Sequence, residues 1–162
     1  DTASFLWRLR VDGHPVPAEL LDQASGYASG HFPQPGFAFA DVHKALLDAL
    51  AGDQVALQRR ADALEALVNE HRLPAGSVVP TVCRALLAFA DGDFAGCVRW
   101  LAPVAGDVVR IGGSGAQREL IADTLLAALL RSGDAARARQ LLDARLHRRS
   151  SPRDSRWLAA IS

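Results

Sequence analysis

A glycine followed by an aspartate recurs in this sequence at the end of helix-like apolar runs. The pair occurs at Gly52-Asp53, Gly92-Asp93 and Gly133-Asp134, about 40 residues apart. Glycine readily adopts the left-handed conformation that ends a helix. The aspartate side chain can accept a hydrogen bond from a backbone N–H group in the first turn of the next helix. The repeat therefore predicts three helical hairpins, each made of a helix, a tight turn and an antiparallel helix.

The residues after each turn have the spacing of amphipathic helices. Apolar residues at intervals of three and four place one apolar stripe on each predicted second helix, over residues 54–72, 94–104 and 135–146. Alanine, leucine and arginine are abundant and favour helices, whereas strand-like alternation is almost absent. We predict an all-α fold, a tetratricopeptide-like solenoid of helical hairpins (an α-α superhelix).

The same repeat predicts how the chain is divided. Its 162 residues suit one domain. We expect a partial N-terminal unit over residues 1–36, hairpins over 37–76, 77–113 and 114–150, and a C-terminal cap over 151–162. A cap is expected because the last repeat of a solenoid must cover its apolar face.

Charge and hydropathy exclude several classes of function. The 18 basic and 18 acidic residues cancel, so the chain has no general attraction for nucleic acids or anionic membranes. No apolar run approaches the roughly 18 residues that a membrane span needs. The histidines lack the i, i+4 spacing of a helical zinc site, and we expect neither a metal nor a cofactor. Arginine supplies all basic residues except Lys44, a bias typical of GC-rich genomes, and we expect a bacterial, cytoplasmic protein.

The C-terminal stretch carries an excess of arginine. An RNA or acidic-partner patch is one interpretation, but aromatic residues for base stacking are missing apart from Trp157. A solvated helix face with cations near helix ends is the favoured interpretation. The arginines concerned are Arg137, Arg139, Arg145, Arg148, Arg149, Arg153 and Arg156.

Three segments resemble motifs of the tetratricopeptide repeat protein 38 family. They are Leu6-Trp7-Arg8-Leu9 with Gly13, Phe39-Ala40-Asp41-Val42-His43, and Arg110-Ile111-Gly112-Gly113-Ser114-Gly115-Ala116-Gln117-Arg118. The corresponding family segments are Leu-Trp-Arg-Leu, Phe-Asn-Asp-Leu-His-Ala and Ile-Gly-Gly-Ser-His-Ala-Gln-Arg-Asp, in the same order and with similar spacing. The resemblance spans nearly the whole chain, and its last motif is the most specific.

The resemblance implies an α-helical solenoid that corresponds to the C-terminal part of a longer protein. It implies no established reaction, and a protein-binding role only by analogy with other tetratricopeptide proteins. This sequence departs from the family motifs at Ala40 in place of Asn, Gly115 in place of His, and Glu119 in place of Asp. Any function of the motif histidine would be absent here.

The glycine-rich segment before the seventh predicted helix is a candidate anion site. Ser114 and Gln117 have the spacing of a capping box at the start of a helix over residues 116–131. Arg110 and Arg118 flank that helix start, where a phosphate or carboxylate would be stabilised. The candidate residues are Arg110, Gly112, Gly113, Ser114, Gln117 and Arg118. Capping alone also explains the spacing and is the favoured interpretation.

Asp41 and His43 are further candidate ligand-binding residues. They lie two apart near a helix start, and residues two apart do not share a helical face. A catalytic dyad is therefore disfavoured. We expect His43 to hydrogen-bond a neighbouring helix or loop and Asp41 to cap its own helix.

Two other features concern cysteines and the first helix. Cys83 and Cys97 are expected to be reduced, buried thiols, because disulfides are rare inside cells. Phe5 and Trp7 lie on the first predicted helix. If that helix exposed an apolar face, the two aromatic residues would form an interface for a homodimer.

Together these patterns favour a non-catalytic scaffold that binds a protein or peptide. Its ligand would lie on the concave face formed by the first helices of the hairpins, over residues 42–50, 82–89 and 120–129. One alternative is a small-molecule or anion site at Gly112–Ser114, accessory to an enzyme. Another is a homo-oligomerisation module. The sequence disfavours nucleic acid and membranes as partners.

Overall fold

The computed structural model describes residues 1–161 and is helical throughout, with no strand in that range. This confirms the predicted all-α class. A short 3-10 helix, Val108–Ile111, precedes the seventh helix. The α-helices are α1 (Thr2–Val11), α2 (Ala18–His31), α3 (Ala38–Ala51), α4 (Gln54–Asn69), α5 (Val78–Ala90), α6 (Phe94–Val104), α7 (Gly115–Arg131), α8 (Ala135–Arg148) and α9 (Pro152–Ala159).

The predicted turn chemistry is confirmed at all three glycine-aspartate pairs. The glycines of Gly52-Asp53, Gly92-Asp93 and Gly133-Asp134 have φ values of 72°, 79° and 80°. The aspartates each accept a hydrogen bond from a backbone N–H group three residues ahead, at 2.9, 2.7 and 3.1 Å. These turns join α3 to α4, α5 to α6 and α7 to α8, and each pair of helices packs together.

The core lies between successive helices. Leu46, Leu57, Leu86, Leu101 and Leu126 are fully or almost fully buried. Besides the paired helices, α4 packs on α5, α6 on α7, and α3 on α5. Burial of large aliphatic side chains contributes the main favourable free energy of such a core.

Helix α1 breaks this pattern of contacts between sequence neighbours. It packs on α3 and also on α7, far along the chain. The Trp7 ring lies 5.4 Å from the Phe89 ring on α5, and its Nε1 donates a hydrogen bond to Thr124 on α7. Helix α1 therefore contacts the first helix of every hairpin.

This position of α1 corrects two expectations. The helices α3, α5 and α7 were expected to present a concave face to a ligand, but α1 covers part of that face, and Val42, Val82 and Leu120 are buried. Trp7 was expected at an exposed interface, but only 1% of it is exposed. Phe5, at 53% exposed, is the member of the pair that solvent reaches.

Helix α2 packs on the rest of the structure only through partly exposed residues. It packs on α1 and α3, but none of the residues from Ala18 to His31 is buried. Leu21, Ala24 and Ala28 contact a small cluster formed by Ala3, Leu6 and Leu47. The shallow packing leaves a cavity beneath this helix.

Candidate functional site

The three segments that carry the family resemblance meet in the structure. Arg8 of the first segment donates a hydrogen bond to the Ala116 carbonyl of the third, at 2.5 Å. Gly113 of the third segment faces the Phe39 ring of the second, since a Cβ atom at Gly113 would lie 2.7 Å from Phe39 Cε2. Segments distant in sequence therefore form one neighbourhood, which the sequence could not show.

At the start of α7, the predicted capping box is confirmed. The Gln117 N–H group donates to Ser114 Oγ at 3.3 Å, and the Ser114 N–H group donates to Gln117 Oε1 at 2.7 Å. The side chains of both residues are thus engaged in holding the helix start. Gln117 also donates through Nε2 to Asp1 Oδ1 at 2.5 Å.

The two arginines predicted to flank this helix start do not converge. Arg110 donates to the Pro74 carbonyl at 3.1 Å, and its guanidinium lies against Gly76. Arg118 donates to the Gly113 carbonyl. Both arginines therefore bind the backbone of nearby loops, and Gly112 and Gly113 take positive φ values of 88° and 77° to turn the chain.

Asp41 and His43 point to different neighbours. Asp41 is 1% exposed, accepts a hydrogen bond from the Gly36 N–H group at 2.9 Å and pairs with Arg60 at 2.5 Å. The expectation that Asp41 caps its own helix was wrong, because its carboxylate ties the preceding loop to α4 instead. His43 Nε2 lies 2.9 Å from Ser4 Oγ on α1, which confirms the expected bond to a neighbouring helix.

The protonation of His43 follows from its surroundings. Burial is the main cause that lowers its pKa, so the ring is neutral near pH 7. Its Nδ1 lies 2.7 Å from the Phe39 carbonyl oxygen, which can only accept a hydrogen bond. Nδ1 therefore carries the proton and donates it to that oxygen, and Nε2 accepts the Ser4 hydroxyl hydrogen.

A cavity of about 380 Å³ lies beside His43, between α1, α2 and α3. Three aromatic rings, those of Tyr27, Phe32 and Phe39, line it together with small side chains such as Ala24. The Phe39 ring packs on His43 with ring centres 4.2 Å apart. Apolar walls with few polar groups are typical of small-molecule pockets.

Sequence reasoning missed this cavity, although the sequence carried a signal for it. Tyr27, Phe32, Phe37 and Phe39 crowd into a short stretch of a chain in which aromatic residues make up only 6%. Part of that stretch has the proline and glycine content of a loop. Such a stretch predicts a loop, so the sequence alone does not indicate that these aromatic rings line one cavity.

The C-terminal arginines are mostly engaged within the chain. Arg145 is 4% exposed and donates to Asp154 at 2.7 Å and to Asp123 at 2.8 Å. Burial disfavours its charged form, but the two carboxylates outweigh this effect and raise the pKa of Arg145. Arg153 pairs with Asp123 at 2.6 Å, and Arg139 donates to the Ile161 carbonyl at 2.7 Å. The excess of arginine serves largely to join α7, α8 and α9.

The two cysteines are free thiols, as predicted. Cys83 and Cys97 are both buried. Burial raises the pKa of each thiol to about 12. Both cysteines therefore behave as small apolar side chains of the core.

In comparisons with known proteins, no family model matches the chain and no solved structure matches it significantly. Within residues 1–161, no group of three or more histidine, cysteine, aspartate or glutamate side chains could hold a metal ion. Across the same residues, none of the helices has both the length and the apolar character needed to cross a bilayer.

Proposed function

We propose that this chain is a non-catalytic binding module that holds a small apolar molecule in the cavity between α1, α2 and α3. We further propose a tetratricopeptide-like arrangement of its hairpins and a relationship to the tetratricopeptide repeat protein 38 family. The observation that carries the binding proposal is the aromatic cavity lined by Tyr27, Phe32 and Phe39. Two of the segments that resemble the family, those of Phe39 and Gly113, meet at its wall.

The chemistry around His43 favours binding over catalysis. A serine beside a neutral histidine resembles the first two members of a hydrolase triad. However, Ser4 is 2% exposed and does not line the cavity. Both ring nitrogens of His43 already have partners, at Ser4 Oγ and the Phe39 carbonyl. Because the Ser4 hydroxyl is buried outside the cavity, the pair fastens α1 to α3 and does not present a nucleophile to a bound molecule.

The charge of the cavity wall favours a neutral ligand. His43 is neutral, and the Lys44 ammonium pairs with Asp48 one helical turn away. The Asp1 carboxylate, which also lines the cavity, accepts a hydrogen bond from Gln117 Nε2. Aromatic rings and alanine methyl groups form most of the remaining wall. A volume of about 380 Å³ suits a molecule with one or two rings or a short aliphatic chain.

Protein or peptide binding stays a prediction. A partner that used the helices α3, α5 and α7 would meet a surface against which α1 already packs. A homodimer also stays a prediction. Phe5 is exposed on α1 and could contact a second copy, whereas Trp7 could not do so without leaving the core.

A fluorescence titration with N-phenyl-1-naphthylamine, a neutral apolar probe, tests the cavity. We expect a saturable rise in emission with the full chain. Ala24→Leu adds bulk to the cavity wall and should weaken binding by more than about tenfold, since even one methylene in an apolar pocket changes affinity by that order.

Ala18→Leu is the matched control. It is the same substitution on the same helix, at an exposed residue that does not line the cavity. Its affinity for the probe should equal that of the unmodified chain. If the probe does not saturate, or if both variants bind alike, the cavity is not the binding site.

A further inference from the structure

The Phe39 ring lies between the aromatic cavity and the loop that leads into α7. It lines the cavity and packs on the His43 ring, with ring centres 4.2 Å apart. Its edge faces Gly113, where an added Cβ atom would lie 2.7 Å from Cε2 and 3.0 Å from Cδ2 of the ring. The ring therefore occupies the space that a side chain at residue 113 would need.

The first turn of α7 also holds a second residue of the cavity wall. Asp1 lines the cavity, and its carboxylate accepts a hydrogen bond from Gln117 Nε2 at 2.5 Å. Arg8 on α1 donates to the Ala116 carbonyl at 2.5 Å. Gly113, Ala116 and Gln117 do not line the cavity themselves. This segment therefore supports the cavity wall from outside.

Two constraints favour glycine at residue 113. Its φ value of 77° is one that residues with a side chain rarely adopt. Ordinary contact with a Cβ atom begins at 3.4 Å, so an alanine at Gly113 would require Phe39 Cε2 to retreat from 2.7 Å to at least that distance. The second constraint links the loop directly to the cavity, because the atom that must move belongs to the cavity wall.

The direction of that retreat follows from the neighbours of the Phe39 ring. The His43 ring, on which it packs, is held at both nitrogens, by Ser4 Oγ and by the Phe39 carbonyl. Close-packed neighbours resist displacement, whereas an open cavity does not. A Cβ atom at Gly113 would therefore move the Phe39 ring into the aromatic cavity.

We propose that Gly113 is a positioning residue that sets the width of the aromatic cavity through the Phe39 ring. The start of α7 thereby determines how large a ring system the cavity accepts, and glycine there leaves room for an apolar molecule with more than one ring. Gly113, predicted from the sequence to contact an anion, acts instead on an apolar ligand and without touching it. This inference deepens the proposed function and rests on it.

Two neutral fluorescent probes that differ by one ring test the inference. N-phenyl-1-naphthylamine is 1-naphthylamine with an added phenyl group. Gly113→Ala should weaken binding of the larger probe by about tenfold, since even one methylene in an apolar pocket changes affinity by that order. Its affinity for the smaller probe should change by less than about twofold, since that probe leaves space for the displaced ring. A general loss of stability would weaken binding of both probes alike.

Gly13→Ala is the matched control. Gly13 has a similar φ value of 82°, but a Cβ atom there would meet nothing within 4 Å beyond its chain neighbours. Gly13 also does not line the cavity. This variant should bind both probes as the unmodified chain does, and circular dichroism confirms that each variant is folded.

A double variant, Gly113→Ala with Phe39→Leu, covers the case in which Gly113→Ala alone does not fold. Leucine lacks the Cε2 atom that the new Cβ atom would meet at 2.7 Å. The double variant should therefore fold, and its affinity for both probes should match that of Phe39→Leu alone.

The possible failures are distinguishable. If the larger probe does not saturate the unmodified chain, the proposed function is wrong and this inference falls with it. If it does saturate, but Gly113→Ala and Gly13→Ala bind both probes alike, only the role of Gly113 is wrong. An equal loss for both probes in Gly113→Ala, or a double variant that does not fold or binds more weakly than Phe39→Leu, would show that Gly113 does not act through the ring.

Discussion

The indole Nε1 of Trp7 donates a hydrogen bond of 2.8 Å to the Thr124 hydroxyl, across 117 positions of sequence. The same hydroxyl donates to the Leu120 carbonyl within α7, also at 2.8 Å. Both Trp7 and Thr124 are buried. This bond joins the first helix to the last hairpin, so α1 is an integral part of the core.

Truncation of Trp7 should therefore destabilise the whole domain. We expect Trp7→Ala to lower the free energy of unfolding by about 3–5 kcal/mol, as for other buried large aromatic residues. Trp100→Ala is the control, since Trp100 is 44% exposed, and its loss should cost less than about 1 kcal/mol. Urea-induced unfolding followed by circular dichroism measures both values. Equal losses in the two variants would contradict the placement of α1.

Substitution by alanine should destabilise the protein more at Gly113 than at Gly13. Both glycines have positive φ values, 77° and 82°, so alanine at either position costs about 1–2 kcal/mol in backbone strain. Only at Gly113 would the new Cβ atom meet Phe39 Cε2 at 2.7 Å and Gln117 Oε1 at 2.8 Å. We expect Gly113→Ala to cost at least about 1 kcal/mol more than Gly13→Ala, since the ring and the capping box must shift. Similar unfolding midpoints in urea would show that the contact is easily relieved.

The pH dependence of stability should carry a contribution from His43. Burial lowers the pKa of His43 in the folded chain below its ordinary value of 6.5. The unfolded chain therefore binds the proton at His43 more readily than the folded chain does. The contribution of neutral His43 to the free energy of unfolding is fully present above about pH 6.5 and is lost as the pH falls through the pKa of the folded chain. We expect the free energy of unfolding to decline between pH 7.5 and 5.5.

The variant His43→Asn should show a weaker decline over the same range. His14→Asn is the control, because His14 is exposed in the loop between α1 and α2, and it should retain the decline of the unmodified chain. Urea titrations at three or more pH values give the comparison. An unchanged decline in His43→Asn would mean that other groups cause it.

The features that the sequence predicted correctly depend on residues close together along the chain. The turn at Gly92-Asp93 needs a left-handed glycine and a carboxylate that reaches the Gly96 N–H group, three residues ahead of Asp93. The capping box of Ser114 and Gln117 spans the same short distance. Helix ends can therefore be predicted from the sequence, because the hydrogen bonds that form them join residues a few positions apart.

The predictions that were wrong concern residues whose partners are distant in the sequence. Asp41 lies at the start of a helix, where a capping role is the local expectation, but Arg60 on the next helix and the loop at Gly36 take its oxygens. The arginine-rich C-terminal sequence predicts that Arg145 is exposed to solvent. In the structure Arg145 is buried and pairs with Asp123 and Asp154. No local sequence pattern distinguishes an exposed arginine from a buried arginine that pairs with carboxylates on other helices.

The helical character of the chain and the positions of its tight turns can be predicted from the sequence, since propensity and capping act within a few residues. The packing of α1 against α3, α5 and α7, the contact of Phe39 with Gly113 and the aromatic cavity beneath α2 appear only when distant helices come together. An apolar stripe on a short helix shows that a face must be covered, but not which surface covers it. That choice follows from the combined shape of several helices, which exists only once they have packed.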